Sequence, residues 1–565
     1  MWRRIRRLVA AAFIRCSEWV LARLGRRKPY GVLTLELSGD LAEQGSEQRI
    51  LGLLRRQTAD YLDVVTLLRW ARDDARLTGV LIRCDDLQAS WARLQGLRRS
   101  IERLRGSGKT VWVHLERAGV REYYVATAAD RVSLTPAATL DVTGLSSEAV
   151  FLLDALTKLG VHADVVQLGR YKSAGETFTR RDMSAPHREM LESLVDDLYG
   201  QVVDGVADRR GLEPAVVRDL LGRGPFIATE ARDAELIDAV AYADDIERQL
   251  VEACGGATTI SRAVYAARRG REMRLEGLRR SRDAFALLYI RGTIKPGDSI
   301  PGAEGIGATG ATTVASALEQ VRKRTDIAAL IVRVASPGGS VLGSDLIWRE
   351  VMRTRESKPV VVSCGDVAAS GGYYVALAGT PVLAEAGTIT GSIGVIAGKA
   401  SLRGLYERVG VSKELITRGR NAALYSDYAP LDDEGRARIQ VQADAFYRDF
   451  LAKVAAARGL SSEATAAVAE GRVWTGRQAL AHGLIDEIGG IEEAFAAAKR
   501  AAGIPPDQPV SIERFPKPRR LWKVSVDLNL PNQGALAELL PVVPSLRFLL
   551  RERVWAVLPF QLRFF

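Results

Sequence analysis

Ser370 is the residue best placed for chemistry. It lies in VVVSCGDVAASGGYYVALAG, Val360–Gly379. Val360–Cys364 reads as a buried strand and Tyr373–Leu377 as an apolar helical run, with Ser370-Gly371-Gly372 at the junction. A hydroxyl there faces a helix N-terminus, whose unpaired N–H groups and dipole favour developing negative charge. The two glycines leave room for a substrate backbone. Serine is equally a good N-cap, so the turn alone does not make a nucleophile.

A nucleophilic serine needs a base. The histidines are His114, His162, His187 and His482. His482, in GRVWTGRQALAHGLID, reads as a helix end near an acid and the others lie in the first copy without an evident carboxylate partner, so a Ser-His-Asp triad stays open but short of material. Lys172, in GRYKSAGE, is the other candidate. A lysine amine has a reference pKa of about 10.4, and burial in an apolar, closed setting lowers it by several units. Gly338-Gly339, just after the strand-like LIVRV of Leu330–Val334, and the N–H of Gly371 could donate to an oxyanion. Pro337-Gly338 also reads as an ordinary turn.

These residues sit inside a duplication. Arg83 and Arg333, Tyr123-Tyr124 and Tyr373-Tyr374, Gly144 and Gly394, Gly160 and Gly410, and Gly169-Arg170 and Gly419-Arg420 are all 250 positions apart. Each copy alternates strands and helices, the α/β signature. The first is expected to place strands at Val32–Leu37, Val80–Cys84 and Thr110–Leu115, and helices at Leu62–Arg72, Trp91–Leu104 and around Tyr123–Ala129. The second has strands at Phe285–Ile290, Leu330–Val334 and Val360–Cys364 and a helix at Val314–Arg324. Ser370-Gly371-Gly372 aligns with Val120-Arg121-Glu122, and Tyr171-Lys172-Ser173 with Asn421-Ala422-Ala423. Each copy therefore holds what the other lacks, which suggests one composite site.

At 565 residues the chain exceeds a single core. The net charge of +11 gathers at the ends, where residues 1–28 hold nine basic residues against Glu18 and residues 515–565 hold eight against three acids. Basic, aromatic-containing ends on a near-neutral body suggest membrane contact more than nucleic acid. The expected domains are an amphipathic anchor (1–28), a first α/β domain supplying Lys172 (29–255), a basic solvated linker (256–283), a second domain supplying Ser370 (284–504) and a basic aromatic tail (505–565). The anchor is read as lying in the interface, with a spanning helix as the alternative. Cys16, Cys84, Cys254 and Cys364 form no CxxC pair, so neither a disulfide framework nor a zinc site is indicated.

GRYKSAGE in the first half, followed in the second by VASPGGS, SGGYY and TITGSIGVI, in this order and spacing within roughly Tyr30–Ala502, resemble the long form of the signal peptide peptidase family, or protease IV. The resemblance implies tandem crotonase/ClpP-like α/β domains behind a membrane-associating N-terminal segment. It implies a serine endopeptidase with Ser370 as nucleophile and Lys172 as general base. Ser392, in TGSIG, would help hold the amine, and Gly339 and Gly371 would form the oxyanion hole. No cofactor or metal is expected. The implied partners are hydrophobic peptides (cleaved signal peptides), membrane lipid and further copies in a homo-tetramer, with no nucleic acid. The implied location is the bacterial inner (cytoplasmic) membrane, with the catalytic body periplasmic if the N-terminus spans. Ala335, before SPGG, departs from the asparagine of the family pattern. Two alternatives are a crotonase-like acyl-CoA hydratase or isomerase, which needs acidic catalytic residues, and an inactive membrane scaffold, which would not need both a serine and a lysine.

Overall fold

The computed structural model describes residues 30–44, 59–280, 283–300, 307–517 and 554–557. The expected anchor over 1–28 and most of the tail beyond 517 lie outside these residues. Among the described residues no helix is long and apolar enough to cross a membrane.

The chain divides into two compact units. The first comprises residues 1–144, 202–283 and 507–511. Its parallel sheet runs Ala239–Val240, Arg131–Leu134, Thr110–Leu115, Gly79–Gln88, Tyr30–Ala42, Thr258–Ser261. Helices Tyr61–Asp73 and Trp91–Gly106 follow the expected pattern within a residue or two. The former is started by Asp60, whose carboxylate accepts from the Leu62 N–H. The stretch expected as a solvated helical linker is a helix over Arg262–Arg280. It belongs to this unit because Tyr265 is buried, with its hydroxyl on Asp74, and Glu272 pairs with Arg76.

The second unit comprises 145–201, 284–506 and 512–565. In its main sheet Ala284–Arg291, Ile327–Ser336, Val360–Ala369 and Ile389–Gly391 run parallel in that order, and Val473–Thr475 closes the edge antiparallel. A parallel sheet buried on both faces needs continuous apolar runs. LIVRV and VVVSC meet that need, since Leu330, Ile331, Val332, Val334, Val361 and Val362 are all fully buried. Each contributes about 1.5–3 kcal/mol of burial. Arg333 interrupts the run and is buried too, donating to the Ser363 hydroxyl and the Cys364 carbonyl.

A second sheet of this unit runs Ala308–Gly310, Thr293–Lys295, Gly338–Ser340, Val554–Val557, Val395–Ser401, His162–Leu168. It explains where Lys172 falls. His162–Leu168 pairs with Val395–Ser401 along seven antiparallel positions, from Leu168 against Val395 to His162 against Ser401. This ladder draws 145–201, part of the first copy by sequence, into the unit that holds Ser370. The compact units thus cut across the domain boundary expected from the repeat.

Candidate functional site

Ser370 ends the strand Val360–Ala369 and precedes the helix Gly371–Ala376. Its backbone has φ 54° and ψ −116°, a conformation that costs an L-residue of order 1–3 kcal/mol and persists only where the surroundings enforce it. The Ser370 N–H donates to the Gly391 carbonyl at 2.8 Å, and the Ser370 carbonyl accepts from the Tyr374 N–H. The side chain does not cap the helix. A cap hydroxyl would turn back onto the following amides; this one faces Lys172.

Gly371 and Gly372 serve a different purpose from the one expected. A Cβ on Gly371 would strike the Ser344 hydroxyl, and one on Gly372 would lie 2.5 Å from the Ser336 carbonyl oxygen. The glycines let the turn press against Ser336–Gly339 of the protein itself. The Gly339 nitrogen lies 3.2 Å from where a Gly371 Cβ would stand, so the two glycine backbones are adjacent. Gly371 begins its helix, where amides have no intrahelical acceptor.

Lys172 is completely buried. Its Nζ lies 2.7 Å from Ser370 Oγ, 2.9 Å from Ser392 Oγ and 2.9 Å from the Ser392 carbonyl oxygen. Burial alone pushes its pKa well below the ordinary lysine value. A neutral amine can donate to the Ser392 carbonyl and hydroxyl while its lone pair accepts the Ser370 O–H. Ser392 is itself held at φ 53°, with its N–H on the Arg472 carbonyl at 2.7 Å. All five residues singled out in the sequence (Ser370, Lys172, Ser392, Gly339 and Gly371) lie in the second unit.

The other nucleophile and base candidates are engaged elsewhere. His114 bonds the Ser133 and Thr135 hydroxyls, and burial lowers its pKa to about 4. His187 contacts Glu176, and His482 packs its ring 4.2 Å from that of Trp474. Burial raises the Cys364 thiol to about 12, so it is inert packing.

Two features escaped the sequence reading. Val554–Val557 pairs antiparallel with the glycine strand, Gly338 opposite Val557, Gly339 opposite Ala556 and Ser340 opposite Trp555. On its other side it pairs with Val395–Ser401. The edge beside Gly339 thus accepts extended backbone. The second feature is Glu470–Arg472, which touches the segments bearing both Lys172 and Ser392. The only sequence signal was Gly471, in a stretch noted for its histidine.

Residues 103–255 and 352–505 each match the profile of Peptidase family S49, one match in each copy. The chain belongs to peptidase family S49. It is similar to "Serine protease SPPA, chloroplastic" of Arabidopsis thaliana, with 34% identity over 496 residues, covering 86% of this chain and 71% of that one. "Protease 4" of Salmonella typhi is 30% identical over 492 residues, covering 84% and 78%. "Protease 4" of Haemophilus influenzae is 28% identical over 514 residues, covering 86% and 82%. This S49 protein is a serine peptidase with a duplicated α/β fold, and the family assignment favours peptide-bond hydrolysis over the acyl-CoA reading.

Proposed function

We propose that this S49 peptidase cleaves within apolar peptides, with Ser370 as nucleophile and Lys172 as general base. The observation that carries the reading is the 2.7 Å approach of the buried Lys172 amine to the hydroxyl of a backbone-strained serine. Ser370 Oγ attacks the substrate carbonyl carbon as its proton passes to the neutral Lys172 Nζ. The carbonyl oxygen takes up negative charge and is met by the Gly339 and Gly371 N–H groups. The lysine ammonium then protonates the leaving amine, and the C–N bond breaks to give an ester on Ser370. Water hydrolyses the ester by the same proton path in reverse, restoring the hydroxyl and the neutral amine. Ser392 holds the amine throughout by its carbonyl and hydroxyl.

An extended substrate lies antiparallel along Gly338–Ser340, the place Val554–Val557 takes in this structure, so binding displaces that strand. The helix that follows exposes Leu342 and Leu346, which favours apolar side chains. The proposed substrates are signal-peptide remnants, and the proposed location is the bacterial inner membrane, reached through the basic aromatic ends. The proposed assembly is a homo-tetramer, with the apolar residues exposed at Val409, Val411, Leu415 and Ile416 as candidate contacts. A fluorogenic apolar peptide tests the reading. Wild-type protein should cleave it and form an ester on Ser370 visible by mass spectrometry. Cleavage that survives in Ser370→Ala would refute it.

A further inference from the structure

The Lys172 amine and the two serines come from segments far apart in sequence, and nothing in those segments alone fixes the distance between them. Three stretches of backbone meet beside the amine: 169–172, 391–394 and 470–472. The Tyr171 N–H donates to the Glu470 carbonyl at 2.9 Å, the Gly471 N–H to the Ile393 carbonyl at 2.7 Å, and the Ser392 N–H to the Arg472 carbonyl at 2.7 Å. Each stretch contributes a glycine where another backbone presses. A Cβ on Gly169 would strike Glu470, and one on Gly394 would lie 3.0 Å from the Gly471 Cα. Gly471 has φ 78°, and a Cβ there would lie 2.6 Å from both the Lys172 nitrogen and its Cβ.

The Arg472 side chain makes a second connection between the same stretches. Its guanidinium sits 4.8 Å from the Tyr171 ring centre and 4.6 Å from that of Trp474. Nη1 donates to the Tyr171 hydroxyl at 3.1 Å and to Glu189 at 2.6 Å. The carbonyl of Arg472 thus holds Ser392, and its side chain holds the neighbour of Lys172.

We infer that Glu470–Arg472 is a positioning strap, with Gly471 and Arg472 setting the approach of the Lys172 amine to Ser370 and Ser392. This rests on the proposed roles of Lys172 and Ser370. A buried amine held at three contacts tolerates little displacement, and about 1 Å of misplacement costs on the order of 100-fold in rate. A loosened Lys172 also gains hydration and keeps its proton to higher pH. The charged and titratable groups around the strap are Arg170, Tyr171, Glu189, Tyr447, Glu470, Arg472 and His482. The groups bonded to the amine are uncharged.

The test uses the full chain with Gly471→Ala and Arg472→Ala, reading kcat, KM, the pH dependence of kcat and thermal unfolding. The expected losses in kcat are about 100-fold and about 10-fold, with KM within twofold and the acid limb moved to higher pH. A loss of kcat with an unmoved acid limb, or an unchanged kcat, overturns the strap. Should Gly471→Ala fail to fold, Arg472→Ala decides alone. Lys172→Ala runs in parallel. If it stays active the base assignment fails, whereas an inactive Lys172→Ala beside unmoved acid limbs fails only the strap.

Discussion

The two copies build the same strand, turn and helix and then place different groups on the turn. In the first, the helix Val120–Ala126 follows Gly119 in extended backbone, φ −94° and ψ −164°. The Glu122 carboxylate is buried there and accepts from the Leu87 N–H at 2.6 Å and the Gly119 N–H at 2.8 Å. In the second, Gly372 stands at the register of Glu122 and the strained Ser370 at that of Val120. One turn has its amides filled permanently by its own carboxylate. The other carries Gly372 at the register of that carboxylate, and of the two it alone has a hydroxyl beside a buried amine. The amides that Glu122 fills, on Leu87 and Gly119, stand at the registers of Pro337 and Ala369, so they are a different set from the Gly339 and Gly371 amides proposed to meet an oxyanion.

Removing from either copy the group that the other lacks should have the largest effect. Ala422 occupies the register of Lys172 in the second copy. Lys172→Ala should lower kcat for an apolar peptide about 10⁴-fold or more, as should Ser370→Ala, with folding intact by circular dichroism. Gly371→Ala keeps every functional group but forces its turn off the Ser344 hydroxyl. Its kcat should fall about 10²–10³-fold, the scale of a lost oxyanion donor. Ser392→Ala removes one of the amine's three partners, and steady-state kinetics should show a loss of about tenfold. Ala556→Pro deletes a ladder N–H opposite Gly339 and loosens the strand on the glycine edge. It should lower KM severalfold with kcat unchanged; an unchanged KM would separate that strand from the peptide path. Glu122→Gln, in the first copy, should leave kcat/KM within twofold of wild type. Denaturant unfolding should show a cost of about 1–3 kcal/mol, because one buried and one part-buried amide lose their anionic acceptor.

The sequence was most readable where chemistry depends on residue type at short range. The SGG turn, the SPGG turn and the lysine in GRYKSAGE can each be recognised within a few residues, and the strands of LIVRV and VVVSC follow from unbroken apolar runs. Its reach ended where distant backbones meet. The ladder between His162–Leu168 and Val395–Ser401 spans about half of the duplicated body, and no local pattern announces it. Gly471 presses on Lys172 only in three dimensions, so in sequence it is an ordinary glycine. Glu122 reads as a helix-start acid, and its buried place between two amides depends on the neighbouring strand. The tail was read by composition, which cannot distinguish a membrane-seeking segment from Val554–Val557 paired into a sheet.

The most direct test of the account is the rate at which a fluorophosphonate labels Ser370 as pH is varied, in wild type and in Lys172→Ala. Burial lowers the Lys172 pKa, and only the neutral amine can accept the serine proton. Wild-type labelling should therefore rise with pH through a single ionisation below the ordinary lysine range of about 10.4 and then level off. Lys172→Ala should lose both the rate and that ionisation. Labelling of Lys172→Ala at the wild-type rate, or a wild-type profile with no ionisation below the lysine range, would contradict it.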